Sequence, residues 1–198
     1  MNTLYLIRHG LKVSEAGDPG LTELGKEQAR KTAEFLKDKN ISKIYSSTYK
    51  RTKETAEIIK NTLKVEIKFD DRLRERMNWG SIPNQKLEEF LKEWEYSNLH
   101  REFKPKAGIS SVQSGQDAFN VISEILISLP DSNIAIITHG GVICDLLRNL
   151  FSDSELRKFK QDFPEKLDKL IRECSITTLI KNNNKFSLKS IGIINHLV

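Results

Sequence analysis

Short apolar runs alternate with longer amphipathic segments along most of the chain. Runs that are continuously apolar, or that alternate apolar and polar residues, predict short strands at 4–7, 44–45, 65–69, 134–138, 176–180 and 185–193. Apolar residues that recur at helical spacing predict helices at 21–39, 50–63, 84–96, 118–129 and 142–150. Because helices separate most of the strands, the pattern favours an α/β fold with a mainly parallel sheet.

Polar residues mark several of the predicted helix starts. Thr22 precedes the first amphipathic segment, where its hydroxyl is a candidate N-cap. Ser114 and Asp117 have the spacing of a capping box, and so do Ser152 and Glu155. We therefore expect one helix to begin at each of these two pairs, the second of them lysine-rich.

The segment from 70 to 108 is irregular apart from the helix predicted at 84–96. Pro83 lies just before this predicted helix and Pro105 lies after it, and both prolines interrupt regular structure. A long irregular stretch inside a compact domain is typical of a lid or a binding loop. We therefore expect residues 81–113 to form a lid that determines the substrate.

Composition and charge limit the class of protein. The 198 residues are 38% hydrophobic and 30% charged, which suits a single domain over residues 1–198. The net charge of +5 is a mild bias toward anionic ligands, but no basic stripe with interleaved aromatic residues indicates a nucleic-acid partner. The first apolar run is too short for a signal peptide, and no run approaches the roughly 20 residues of a membrane span. With two cysteines outside any disulfide or metal pattern, we predict a cytoplasmic protein without a membrane partner.

The candidate chemistry lies just after two predicted strands. Arg8 and His9 follow the first strand, and His139 and Gly140 follow the apolar strand near residue 138. In open α/β sheets the ligand crevice lies beyond the carboxyl ends of the strands, so neighbouring strands would bring both histidines together. A helix that starts after Gly140 would add backbone N–H groups, which favour an anion.

Arg51 adds a second guanidinium to the same edge of the sheet. A predicted strand leads into Ser46 and Ser47, and Arg51 then falls in the first turn of the next helix. Guanidinium groups bind phosphate oxygens through several hydrogen bonds at once. Each of these residues alone has an ordinary structural explanation, but together they indicate a site for a phosphoryl group.

Several blocks around these residues resemble the histidine phosphatase superfamily, the phosphoglycerate-mutase-like proteins. The block LIRHG at 6–10 resembles the family signature, and THGG at 138–141 resembles its second histidine block. Further similar blocks lie at 18–25, 46–56, 73–80, 174–179 and 196–197. The resemblance implies a three-layer α/β/α sandwich around a mainly parallel central sheet.

The resemblance also implies roles for individual residues. His9 corresponds to the nucleophile that becomes phosphohistidine, and Glu75 corresponds to the proton donor. The residues that correspond to the phosphate pocket are Arg8, Arg51, His139 and Gly140. The family chemistry implies no metal ion and no organic cofactor.

Phosphoryl transfer through His9 requires a particular protonation state of three side chains. His9 must be neutral to attack, so its second ring nitrogen should donate to a fixed acceptor such as a backbone carbonyl. Glu75 must hold a proton beforehand, which requires a raised pKa that bound phosphate charge can supply. His139 is expected to be protonated, so that it holds phosphoryl oxygens together with the two arginines.

Other polar and aromatic residues have competing explanations. Ser14, Thr22 and Trp79 are candidate substrate contacts, although capping also explains Thr22. Trp94 fits the mouth of the site and the core equally well. Of the remaining residues, His100 is expected at the surface and His196 in a structural position, while Cys144 and Cys174 are expected to be buried core thiols.

Three interpretations of the function remain open at this point. Residues 11–15 lack the pattern that follows the signature in true phosphoglycerate mutases, which favours a phosphatase over a mutase-type phosphotransferase. The third interpretation is a weakly active relative that binds phosphorylated ligands. A small phosphorylated substrate is expected first, among sugar phosphates, nucleotides, cofactor precursors and phosphoproteins. The oligomeric state is open, with a homodimer among the alternatives.

Overall fold

The computed structural model describes residues 1–163, 170–183 and 185–198. Its strands are β1 (Asn2–Arg8), β2 (Ile41–Ser46), β3 (Ile67–Phe69), β4 (Asn133–Thr138), β5 (Ile176–Asn182) and β6 (Lys185–Ile193). Its α-helices in these ranges are α1 (Glu23–Leu36), α2 (Lys50–Leu63), α3 (Leu87–Leu99), α4 (Ser111–Ser128), α5 (Gly140–Leu150) and α6 (Asp153–Arg157). Short 3₁₀ turns occupy 37–39, 71–73 and 195–197.

The strands form one sheet in the order β3-β2-β4-β1-β5-β6. The four strands from β3 to β1 are parallel, while β5 runs antiparallel to β1 and β6 runs antiparallel to β5. The sheet is therefore mainly parallel, as predicted. β1 and β4 are direct neighbours, with Arg8 opposite Thr138, so the two histidine-bearing strand ends meet as expected.

Helices cover both faces of this sheet. Leu4 and Leu6 of β1 join the core formed with α4 and α5, whereas Ile7 joins the core formed with α1 and α2. A strand with both faces buried is apolar at every position, which explains the continuous runs in β1 and β4. The expected three-layer α/β/α sandwich is confirmed. Among the helices described, none is both long and apolar enough to cross a membrane.

The first two helices lie where they were predicted. α2 has the predicted bounds, whereas α1 begins two residues later than predicted and continues after Leu36 as a 3₁₀ turn over 37–39. α1 begins directly after Thr22, whose hydroxyl accepts the Gly25 N–H at 3.0 Å, so the predicted N-cap is confirmed. The buried stripe of α1 runs through Ala29, Ala33 and Leu36.

The prediction that a helix begins at Ser114 is wrong. α4 begins at Ser111, and the hydroxyl of Ser110 caps it by accepting the Gln113 N–H. Ser114 is buried inside the helix. The pair at Ser152 does form the predicted capping box, at the start of α6, and part of the lysine-rich stretch beyond it lies outside the described residues.

Candidate active site

A cavity of about 410 Å³ opens where β1, β2 and β4 end. Its walls include five of the predicted site residues, which are Arg8, His9, Arg51, Glu75 and Gly140. These residues come from two strand ends, two helix N-termini and the loop after the 3₁₀ turn at 71–73. The sheet topology therefore collects groups that are far apart in the chain.

The His9 imidazole is held in one orientation. Its Nδ1 lies 2.8 Å from the carbonyl oxygen of Gly10, and its Nε2 accepts a hydrogen bond of 3.3 Å from Arg51 Nε. Because Nε2 accepts, the ring proton belongs on Nδ1 and is donated to Gly10, so the predicted backbone acceptor is confirmed. Burial, together with the charges of Arg8 and Arg51, holds the pKa of His9 well below its usual value. His9 is therefore neutral, with the lone pair of Nε2 directed at Arg51.

The two arginines are held differently. Arg51 is 3% exposed, and its Nη2 makes a long hydrogen bond of 3.4 Å to Asn78. Arg8 is more accessible, and its guanidinium donates to Ile171 O and pairs with Glu173, both at 2.7 Å. Arg51 thus keeps donor capacity for an anion, while Arg8 is tied to the segment at 171–173.

His139 lies behind His9 and is not part of the cavity wall. Its ring meets that of His9 edge-on, with centroids 5.2 Å apart, and its Nε2 bonds Ser47 Oγ at 2.9 Å. Burial and the charge of Arg51 keep the pKa of His139 well below its usual value. Burial thus disfavours the charged ring in the ligand-free protein, and the expectation of a protonated His139 that holds phosphoryl oxygens stays a prediction for the phosphate-bound site.

Glu75 also lines the cavity. Its Oε2 accepts the Gly141 N–H in the first turn of α5 at 3.0 Å. Burial raises the pKa of Glu75, against the opposing charge of Arg76, and Asp145 raises that pKa further. The predicted proton donor therefore has its raised pKa before any ligand binds, and burial is the cause instead of bound phosphate.

The described chain matches a family model over residues 4–193, that of the histidine phosphatase superfamily, branch 1. The chain belongs to the histidine phosphatase superfamily. It is 27% identical over 205 residues to the uncharacterized phosphatase PhoE of Bacillus subtilis strain 168, with 100% of this chain and 97% of that protein covered. It is 30% identical over 154 residues to the probable phosphoglycerate mutase GpmB of Escherichia coli O1:K1 / APEC, covering 71% of this chain and 70% of the relative.

A solved structure has the same fold along its whole length. The phosphoserine phosphatase of Entamoeba histolytica, a mutant solved with phosphoserine, aligns with a TM-score of 0.74 and 23% identity over 100% of both chains. At 23% sequence identity, this similarity shows a shared fold. The relatives named here comprise phosphatases and a probable mutase.

The mouth of this histidine phosphatase cavity is largely apolar. Helix α3 contributes Leu87, Phe90, Leu91 and Trp94, and the facing wall adds Met77, Trp79, Cys144 and Ile171. The helix predicted at 84–96 is therefore present, three residues later, and it lies within the 81–113 segment expected to determine the substrate. Trp94 lines the mouth, which resolves the two positions left open for it.

The three candidate substrate contacts separate into two groups. Ser14 and Trp79 line the cavity. Thr22 does not, because its hydroxyl is engaged by the Gly25 N–H and by Leu11 O at the start of α1.

Several polar lining residues were not predicted, and two of them, Lys12 and Asn78, lie beside motif residues in the sequence. Lys12 stands three positions after His9, and Asn78 donates to Gly17 O while accepting from Arg51. Their proximity to the motif residues is the only signal of them in the sequence. Ser47, quoted in a motif but given no role, is the residue that orients His139.

The remaining histidines and both cysteines lie as expected. His100 is exposed, and His196 bonds Thr32 Oγ1 and Cys174 O at 3.1 Å each. Cys144 and Cys174 are buried, and burial raises the pKa of Cys174 to about 12.

Proposed function

We propose that this histidine phosphatase superfamily member hydrolyses phosphomonoesters through a phosphohistidine on His9. The observation that carries the proposal is the His9 imidazole itself. Its Nδ1 is fixed on a backbone carbonyl, and its neutral Nε2 faces a buried guanidinium inside a cavity that Glu75 also lines. A nucleophile and a proton donor that line one anion pocket are the groups that an in-line phosphoryl transfer requires.

In the first step the Nε2 lone pair of His9 attacks phosphorus while the bond to the alcohol oxygen breaks. Arg51 and Arg8 hold the equatorial oxygens, whose charge spreads in the transition state. Glu75 gives its proton to the departing oxygen, which leaves as a neutral alcohol. A dianion in the cavity would also raise the pKa of the neighbouring His139 ring, which favours the protonated histidine implied by the resemblance.

In the second step water attacks the phosphorus of phosphohistidine and the P–N bond breaks. The Glu75 carboxylate takes the proton of the water, so the carboxyl is regenerated together with the free Nε2 lone pair. The products are inorganic phosphate and the starting enzyme. His9, Arg8, Arg51, His139 and Glu75 are thus the proposed catalytic residues, with the Gly140 backbone in the phosphate pocket.

Water as the acceptor is supported by the residues that follow His9. Residues 11–15 do not have the pattern of true phosphoglycerate mutases, although the 30% identical relative is named as a probable one. The substrate is proposed to be a small phosphorylated molecule, as in the Entamoeba structure with phosphoserine. Ser14 and Trp79 are proposed to contact its alcohol part, and the 81–113 segment to form the lid of a single domain.

The test is phosphate release from an alkyl phosphomonoester with a chelator present. Wild type is expected to turn over, while His9→Asn releases no measurable phosphate and forms no acid-labile phosphoenzyme. His100→Asn is the matched control, because His100 is exposed and distant in sequence from every motif. Unchanged release by His9→Asn contradicts the proposal. A phosphorylated acceptor formed without free phosphate would support the mutase-type alternative.

A further inference from the structure

Arg76 and Asp145 form a buried ion pair that the mechanism above does not use. Arg76 is the largest of the fully buried side chains, and its Nη1 donates to Asp145 Oδ2 at 2.9 Å with both side chains at most 1% exposed. The other carboxylate oxygen of Asp145 accepts from Ser111 Oγ at 2.6 Å. Removing two charges from water is expensive, so such a pair is weak evidence for a purely stabilising role.

The Arg76 guanidinium also holds helix α3. Its Nε donates to Ser97 Oγ at 3.2 Å, its Nη2 donates to Asn98 Oδ1, and its plane lies 4.0 Å over the ring of Trp94. Ser97 is the one buried residue of α3. The helix that supplies the apolar mouth therefore has no broad buried stripe. The Arg76 guanidinium ties it to the protein interior, together with Arg148, whose Nη1 donates to Asn98 O at 3.1 Å.

The same residue lies against the proton donor. The Arg76 backbone N–H donates to Glu75 Oε1 at 3.2 Å, while the Gly141 N–H holds Oε2. A methyl group added at Gly141 would overlap Glu75 Oε1 and lie 2.5 Å from Arg76 Nη1. The carboxyl and the guanidinium thus converge on the first turn of α5, the helix that also carries Asp145.

We infer that Arg76 is a positioning residue whose guanidinium, paired with Asp145, sets the charge beside the Glu75 carboxyl and seats α3 over the cavity. The inference rests on the proposed function, since it gives Glu75 the part of proton donor. One side chain then links the wall that receives the alcohol to the group that protonates it.

The charges around Glu75 make opposite predictions for the two partners. Glu75 is faced by Arg76 on its own loop, by Asp145 from α5, and by Arg51 and Tyr49 from the start of α2. Removing the positive charge of Arg76 makes the carboxyl harder to ionise, whereas removing the negative charge of Asp145 leaves Arg76 unopposed and makes it easier. The two variants should therefore move the titration of Glu75 in opposite directions.

The first experiment compares two substrates of similar size. The 4-nitrophenolate leaving group needs little protonation, whereas the benzyl alkoxide needs a proton donor. Arg76→Met is expected to lower kcat for benzyl phosphate at least tenfold more than for 4-nitrophenyl phosphate. Glu75→Gln, which removes the proton donor itself, is expected to show the same difference between the substrates to a larger extent. Equal losses on both substrates would reduce Arg76 to a structural residue and overturn the inference. Arg76→Lys should recover part of the benzyl phosphate rate.

The second experiment follows kcat/KM against pH. The basic limb, where Glu75 loses its proton, is expected to move up by about one pH unit in Arg76→Met and down by about one in Asp145→Asn. Shifts in the same direction, or none, contradict the inference. Arg101→Met is the matched control, because this guanidinium bonds Arg148 O and Asn149 Oδ1 at the other end of α5 and should not discriminate between the substrates.

A variant that leaves one buried charge unpaired can fail to fold, so the double variant Arg76→Met/Asp145→Asn is included. In this double variant, kcat should still fall more for benzyl phosphate than for 4-nitrophenyl phosphate. The basic limb of its kcat/KM profile should return toward the pH at which it lies in wild type. If Glu75→Gln itself treats both substrates alike, the donor in the proposed function is wrong. If only Glu75→Gln discriminates and the Arg76 variants do not, the inference fails and the proposed function stands.

Discussion

Replacing Arg51 by methionine should make the ligand-free protein more stable while it nearly abolishes activity. The guanidinium is 3% exposed, and burial lowers the pKa of Arg51, which means that the fold disfavours its charge. Its buried Nη1 has no hydrogen-bond partner among residues 1–163, 170–183 and 185–198, since Asp18 Oδ1 lies 3.6 Å away. Methionine has a similar length and keeps an apolar contact with Tyr49, over which the guanidinium lies at 4.5 Å.

The two effects have different sizes. Relieving a buried, incompletely paired charged donor is expected to raise the free energy of unfolding by about 1–2 kcal/mol. Losing a donor that meets charge in the transition state lowers the rate by about 10²–10³, which corresponds to roughly 3–4 kcal/mol of activation free energy. Arg51→Lys keeps the charge but not the planar guanidinium, so its activity should lie between that of wild type and that of Arg51→Met.

Urea unfolding at pH 7 without phosphate measures the first effect, and phosphate release from an alkyl phosphomonoester measures the second. Inorganic phosphate should then stabilise wild type more than Arg51→Met, because a ligand stabilises the state that binds it. Arg30→Met is the control, since Arg30 is exposed and pairs along its own helix with Glu27. The reasoning is refuted if Arg51→Met is less stable than wild type by more than about 1 kcal/mol, or if its turnover is retained.

Three further predictions follow from the site. Gly141→Ala places a methyl group on Glu75 Oε1, so kcat on benzyl phosphate should fall about 10²-fold while the circular dichroism spectrum stays unchanged; wild-type kcat would contradict the packing. Because burial holds the pKa of His139 below its ordinary 6.5, the unfolded chain gains a proton there first as pH falls. From pH 6.5 to 5.5 wild type should lose about 1 kcal/mol more unfolding free energy than His139→Asn, and parallel stability curves would exclude this. Leu91→Ser should raise the KM for benzyl phosphate about three- to tenfold with kcat retained, whereas the exposed Leu99→Ser should change neither value.

The central part of the fold could be predicted because its sequence signals are local. The bounds of α2 match the prediction residue for residue, and the apolar runs of β1 and β4 locate two core strands. The start of α4 was misplaced because Ser114 and Asp117 imitate a cap that Ser110 in fact supplies. Gly115 contributed to that error: it resembles a helix boundary, but it lies where a Cβ would come within 2.5 Å of Asp145 O, so it serves the close packing of α4 on α5.

The site residues could be predicted only where a reactive side chain directly follows a predicted strand. Arg8 and His9 stand directly at the end of a strand, so sheet topology alone brings them to the cavity. Arg76 could not be recognised, because it belongs to a run of charged residues that is ordinarily solvated, and its burial depends on a partner 69 positions away. Which side of a charged run turns inward depends on tertiary contacts that single-sequence patterns do not contain.

The two edges of the sheet bear on how the protein behaves in a crowded solution. β3, at one edge, offers only three residues, too few to template another strand. β6, at the other edge, is longer but exposes Lys185, Ser187 and Lys189 in alternation. Charged side chains along an edge strand oppose the addition of a second chain. Pairing between the edge strands of two copies is thus disfavoured at both edges of the sheet. Any association of two copies would therefore use the helical surfaces.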